Sequence, residues 1–142
     1  MICTIALQYF HSHEKSPHRS VSYIDERMIY LSDTTWSKKA ADLLRNLNFY
    51  RTSIQCMREL SIFDTSEELA DRLRQTERTV ACIERAMTML TDSEQLLLNR
   101  MFINAGESPV DDVCEECRME KSNIYRLRRR ALDKFTMAIY GR

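Results

Sequence analysis

Eight polar side chains near the C-terminus have the types and spacing to grip a polyanion and read its surface: Lys121, Ser122, Asn123, Tyr125, Arg126, Arg129, Arg130 and Lys134. An Asn amide carries one donor and one acceptor that match the major-groove edge of adenine, and Arg or Lys match the two acceptors of guanine. Cations further along one helix suit backbone phosphates. The local charge supports that chemistry. Between residues 118 and 142 there are eight Lys or Arg and two Asp or Glu, and between residues 107 and 117 there are five acidic residues and no basic one. The whole chain has 21 of each sign, so only the distribution informs about partners.

Such side chains read a surface only if a rigid element presents them. Ser108, followed by Pro109 and Asp111, predicts the cap and first turn of a short helix ending near Cys117. A second helix is predicted from Lys121 to about Ile139. Val113, Cys114 and Cys117 form the inward face of the first helix, Met119 the apolar residue of the turn, and Ile124, Leu127, Ala131, Leu132 and Phe135 the inward face of the second. Lys121, Ser122, Asn123, Tyr125, Arg126, Arg129 and Arg130 stay outside, while Arg128 lies nearer the packed side. Two helices with a small apolar inside, a tight turn and a basic outside are the pattern of a helix-turn-helix.

The rest of the chain reads as helical support. Two Gly and two Pro in 142 residues are too few for a turn-rich β fold. Trp36, Ala40, Leu43, Leu47, Tyr50, Ile54 and Met57 are spaced 4-3-4-3-4-3, which predicts one long helix from Thr34 to about Ser61, its stripe widened by Leu44 and Leu60. Leu69, Leu73, Thr76, Val80, Ile83, Met87 and Leu90 repeat the spacing behind a capping box at Thr65 and Glu68. The two stripes predict an antiparallel hairpin or pairing between chains, with Thr76 able to fix register. Thr91 and Glu94 form another capping box for a helix to Ile103, which Asn104 and Gly106 end in a left-handed cap. The expected class is all-α: a long N-terminal helical hairpin, coiled-coil-like, plus a C-terminal three-helix domain containing the helix-turn-helix. The expected organisation is an N-terminal extension at 1–33, a hairpin serving oligomerisation at 34–90 and a DNA-binding domain at 91–142.

Other chemistries find little support. There is no Gly-rich phosphate loop, nucleophile elbow or H-E-x-x-H, so an enzyme is not expected. Cys114-Glu115-Glu116-Cys117 is a lone C-x-x-C, and a structural zinc site needs two more ligands. Neither Cys82 nor His11, His13 and His18 have matching spacing, so no metal or cofactor is expected, and Cys114 and Cys117 are expected as buried thiols. Five cysteines without framework spacing, and no leader or membrane span, predict a cytoplasmic chain with reduced thiols. Trp36 is expected to pack, against the C-terminal end of the second helix.

T-D-S-E-Q-L-L-L-N-R-M-F, followed by V-D-D-V-C-E-E-C-R-M-E-K-S-N-I-Y-R-L-R-R-R-A-L-D-K-F, resembles the region-four helix-turn-helix of bacterial sigma factors. Within that group it is most similar to the small phage and prophage late transcriptional regulators of the ArpU/RinA-like kind. The specific likeness covers residues 91–140. Val113-Cys114 stand where the family has Ile-Ala, Cys117 where it has Leu, Asn123-Ile124 where it has Thr-Val, and Ala131-Leu132 match its Ala-Leu. Arg118 stands where it has a turn Gly, and Glu120 where it has a Ser cap. The resemblance implies a sequence-specific double-stranded DNA-binding regulator that places its last helix in the major groove. It also implies a possible contact with RNA polymerase. Self-association as a dimer through residues 34–90 is expected beside it, because one such motif offers a small interface. Two alternatives stay open: a phage packaging oligomer of the small-terminase kind, and a helical protein-interaction module that binds no DNA.

Overall fold

The structure, a computed structural model, describes residues 26–141, with side chains from Thr35 onward. The readings of His11, His13, His18 and residues 1–25 fall outside the described residues. Among the described residues there is no strand. Within the described residues six α-helices follow one another: α1 (Glu26–Arg45), α2 (Leu47–Leu60), α3 (Glu67–Thr88), α4 (Asp92–Leu98), α5 (Pro109–Cys117) and α6 (Lys121–Tyr140). A π-helical turn, Asn99–Ile103, extends α4.

The predicted single helix from Thr34 to Ser61 is two helices, and the first begins at Glu26. The break is at Asn46. Its backbone N–H and its side-chain Nδ2 both donate to the carbonyl of Asp42, at 3.1 and 2.8 Å. An Asn that bonds back to its own helix competes with the regular ladder, which interrupts the helix there. The apolar stripe nevertheless runs through the break. Ala40, Leu43, Leu44, Leu47 and Ile54 are buried, with Trp36, Tyr50 and Met57 half-buried. Leu60 departs from the expectation and is 55% exposed.

α2 and α3 run antiparallel. Arg51 pairs with Glu84 at 2.9 Å and Arg58 with Glu77 at 2.7 Å, so advancing seven residues on one helix retreats seven on the other. Both heptad stripes thereby face each other within the chain. Thr76 fixes no register, because its hydroxyl donates to Arg72 O of its own helix. The cap of α3 is Ser66 rather than Thr65. Asp64 Oδ1 accepts from Ser66 N at 2.9 Å, which turns Ser66 to extended angles and lets its hydroxyl accept from Leu69 N. Leu69 then occupies the third helical position, so no reciprocal box forms.

The box at Thr91 and Glu94 is present in both directions, at 3.3 and 3.0 Å. Beyond it, Asn104 N reaches back five residues to Asn99 O, which widens the turn. The widened turn directs Met101 and Phe102 together into the core, 7% and 4% exposed. Asn104 closes it at φ −119° rather than in a left-handed conformation, and Gly106 is not left-handed either. Instead Asn48 of α2 ties this end down, donating from Nδ2 to Ile103 O and Asn104 Oδ1.

Buried side chains from both halves of the sequence form one apolar cluster, from Ala40 on α1 to Ile139 on α6. Trp36 packs on Tyr140 with ring centroids 4.8 Å apart and planes inclined at 51°. Phe102 lies under the guanidinium groups of both Arg45 and Arg128, at 5.3 and 5.2 Å. Phe135, Leu98 and Ala131 are fully buried at the centre. Burying a side chain of the size of Phe135 or Leu98 contributes about 1.5–3 kcal/mol. This packing fixes α6 along its inward face, from Ile124 to Ile139, and leaves the outward face of its first turns open.

Candidate nucleic-acid interface

α5 and α6 are joined by three residues, Arg118, Met119 and Glu120. Arg118 has φ 51° and ψ 44°, and it is the one non-Gly residue with positive φ among the described residues. The left-handed cap lets the Cys114 carbonyl accept from both Arg118 N and, at 3.2 Å, Met119 N. This satisfies backbone groups at the end of α5 and sends the chain sharply into α6. Val113 from α5 and Ile124 from α6 meet behind the turn, 3% and 1% exposed.

Capping around the motif differs from expectation at one end. Ser108 occupies the cap position of α5 with Pro109 following, but its side chain makes no cap hydrogen bond. Its φ of −129° and ψ of 65° lie off the geometry from which a hydroxyl reaches the third helical N–H. Glu120 has cap-like angles, φ −69° and ψ 149°, and likewise forms no side-chain cap bond. Met119 is 43% exposed, and Cys117 is exposed where burial was expected. Cys117 ends α5 at the rim of an apolar cleft of about 160 Å³ that Leu96, Val113, Met119 and Ile124 also line. Cys114 is half-buried against the core. Cys56, Cys114 and Cys117 are free thiols. No group of three or more His, Cys, Asp or Glu side chains converges among the described residues.

The outward face of α6 follows from its turn. Ser122, Tyr125, Arg126, Arg129 and Arg130 cluster on the side opposite Ile124, Ala131 and Phe135, and all five are exposed. Asn123 and Lys121 flank them. Arg126 Nη2 donates to Asn123 Oδ1 at 3.0 Å, so these two present a joined polar edge. Arg129 and Arg130 make no ion pair with any described residue. Asp133, also exposed, follows Arg129 one turn later and closes the cationic stretch of this face.

Two of the eight expected residues have their charge engaged. Lys121 Nζ sits 2.6 Å from Asp111 Oδ1, and the Asp111 carboxylate holds the ammonium's pKa above its usual value. Lys134 stands off the outer face and bonds to Glu94. That bond, with Thr91 N on the second oxygen, holds the Glu94 carboxyl below its ordinary pKa. Lys134 therefore ties the α4 capping box to α6. Nothing in the local sequence marks this pair, because the partners are 40 residues apart. Arg128 is half-buried over Phe102, as its position nearer the packed side suggested.

α5 has the opposite character. Asp111, Asp112, Glu115 and Glu116 are all exposed. Lys121 neutralises the first, and Arg100 reaches the last at 3.4 Å. Negative charge is thus gathered on α5 and positive charge on the outward face of α6. No described helix is long and apolar enough to cross a membrane. No known family model, curated protein or solved structure matches this chain.

Proposed function

We propose that this protein is a sequence-specific double-stranded DNA-binding regulator of transcription that reads the major groove with the first turns of α6. One observation carries the reading. An exposed, unpaired cationic face of Arg126, Arg129 and Arg130, with Ser122, Asn123 and Tyr125 beside it, projects from the second helix of a packed helix–turn–helix unit. In this reading the chain is a helical hairpin joined to a three-helix C-terminal unit, and α1 and α3 buttress α6. Asn123, Arg126 and Ser122 meet base edges, while Arg129 and Arg130 grip the backbone. Lys121 swings from Asp111 to a phosphate when duplex approaches, since both partners of that ion pair are exposed and water screens their attraction. The resemblance to sigma region four and to ArpU/RinA-like phage regulators supports promoter binding, with RNA polymerase as a second partner.

The test is selection from a randomised duplex library with the full chain. A defined motif of a few base pairs is expected. Arg126→Ala should relax preference at one position of that motif, costing about 1–3 kcal/mol of discrimination. Arg129→Ala should weaken all sequences alike. Recovery of no motif, or variants that bind like the parent, would refute the assignment of α6 as the reading helix.

A further inference from the structure

The outward face of α2 carries a second heptad row. Phe49, Ser53, Cys56, Leu60 and Phe63 recur at 4-3-4-3 spacing. At about 100° per residue they fall within roughly 40° of one line, about 120° around the helix from the buried Leu47, Tyr50, Ile54 and Met57 row. Helical bonding runs past the end of α2, with Asp64 N donating to Leu60 O at 2.9 Å, so Phe63 continues the row. Phe49 is 69%, Leu60 55% and Phe63 89% exposed, and Cys56 is an exposed free thiol.

We infer that this face is the seam of a homodimer, with α2 lying antiparallel on α2 of a second copy about a two-fold axis near Cys56. No position of the row is charged, and its spacing suits another helix rather than a loop or a bilayer. The row is also self-complementary. A two-fold axis at Cys56 sets Phe49 opposite Phe63 of the second copy and Leu60 opposite its Thr52. Glu59 then faces Ser53, whereas a parallel arrangement would set Glu59 against its own copy. The buried stripes of α2 and α3 face each other inside the chain, and this row lies apart from them among the described residues.

Area sets the strength. The exposed apolar part of the row is roughly 400 Å² per protomer, as large as the biggest patch on a typical monomer. Two such faces bury roughly 800 Å², below the usual range of specific interfaces, so the dimer is weak, with dissociation on the order of 10–100 µM. The seam stands independently of the DNA reading, and its test contains no DNA.

Sedimentation velocity of the full chain over about 1–500 µM should show a monomer–dimer equilibrium. Phe49→Glu and Phe63→Glu should each weaken it at least about tenfold with unchanged helical circular dichroism. Phe63→Ser, at an almost fully exposed position, guards against misfolding as the explanation. In a Cys114→Ser, Cys117→Ser background, a short bis-maleimide should join two chains through Cys56, and Cys56→Ser should abolish the product. A chain that stays monomeric to the highest concentration, or a dimer indifferent to both Phe substitutions, would overturn the inference. So would a dimer that gives no Cys56 cross-link.

Discussion

Replacing Arg118 by Gly should stabilise the protein. Arg118 holds φ 51° and ψ 44° at the turn between α5 and α6. For an L-residue with a Cβ the left-handed region costs roughly 1–2 kcal/mol, through crowding of Cβ against the following carbonyl. Glycine removes that cost but adds freedom to the unfolded chain, which gives back about 0.4–1 kcal/mol. The net gain is about 0.5–1 kcal/mol, equivalent to about 2–4 °C in Tm for a chain of this length. The Arg118 side chain is exposed and makes no ion pair with a described residue, so little is lost with it. Arg118→Ala is the control, because Ala keeps the Cβ and its strain while removing the charge; it should leave stability near the parent's. Urea unfolding of parent, Gly and Ala variants reads the difference as a shift in midpoint at constant m. Equal shifts for Gly and Ala, or a loss with Gly, would show that the turn is not left-handed in solution.

Glu120→Ser should add about 0.5–1 kcal/mol by supplying the missing cap to α6, read by the same unfolding curves, since the backbone at 120 already has cap angles. Phe135→Ala, at a fully buried site shared by both halves of the chain, should cost about 3–5 kcal/mol and lower protection from hydrogen exchange in α1 as well as α6. Burial beneath Trp36 pushes the Tyr140 phenol up to about 12. A folded-state pKa above the unfolded value near 10 means that this contribution is complete below pH 10 and is lost as pH rises toward 12. Ultraviolet titration should therefore show one tyrosine ionising last, together with loss of structure, and Tyr140→Phe should remove that late step.

Regular, repeating signals made much of the helical layout legible in the sequence. The heptad rows through Leu43, Leu47 and Ile54, and through Val80 and Ile83, name their buried faces because burial on a helix recurs every three to four residues. The Thr91–Glu94 box was legible because both partners are local. What escaped depends on competition or distance. Asn46 breaks the first helix by a choice of hydrogen-bond partner that composition does not reveal. Ser66 displaces Thr65 as cap because Asp64 turns the chain first. The π-helical turn after Leu98 answers a packing need of Met101 and Phe102 that arises only once α1 and α6 are in place. At the candidate interface, the exposure of Lys121, Ser122, Asn123, Tyr125, Arg126, Arg129 and Arg130 follows from helical period alone. The engagement of Lys134 by Glu94 does not, since it requires knowing that α4 lies along α6. The missing Gly at 118 was visible as an anomaly, and the backbone there is left-handed despite it.

The measurement that bears most directly on the central claim is the salt dependence of duplex binding by the full chain. Arg129 and Arg130, with Lys121 released from Asp111, offer about three phosphate contacts per chain, so log K should fall with log salt at a slope near −3. Arg129→Ala and Arg130→Ala should each reduce the magnitude of that slope by about one. A slope near zero, or one that neither substitution changes, would contradict the reading of α6 as the nucleic-acid-binding face.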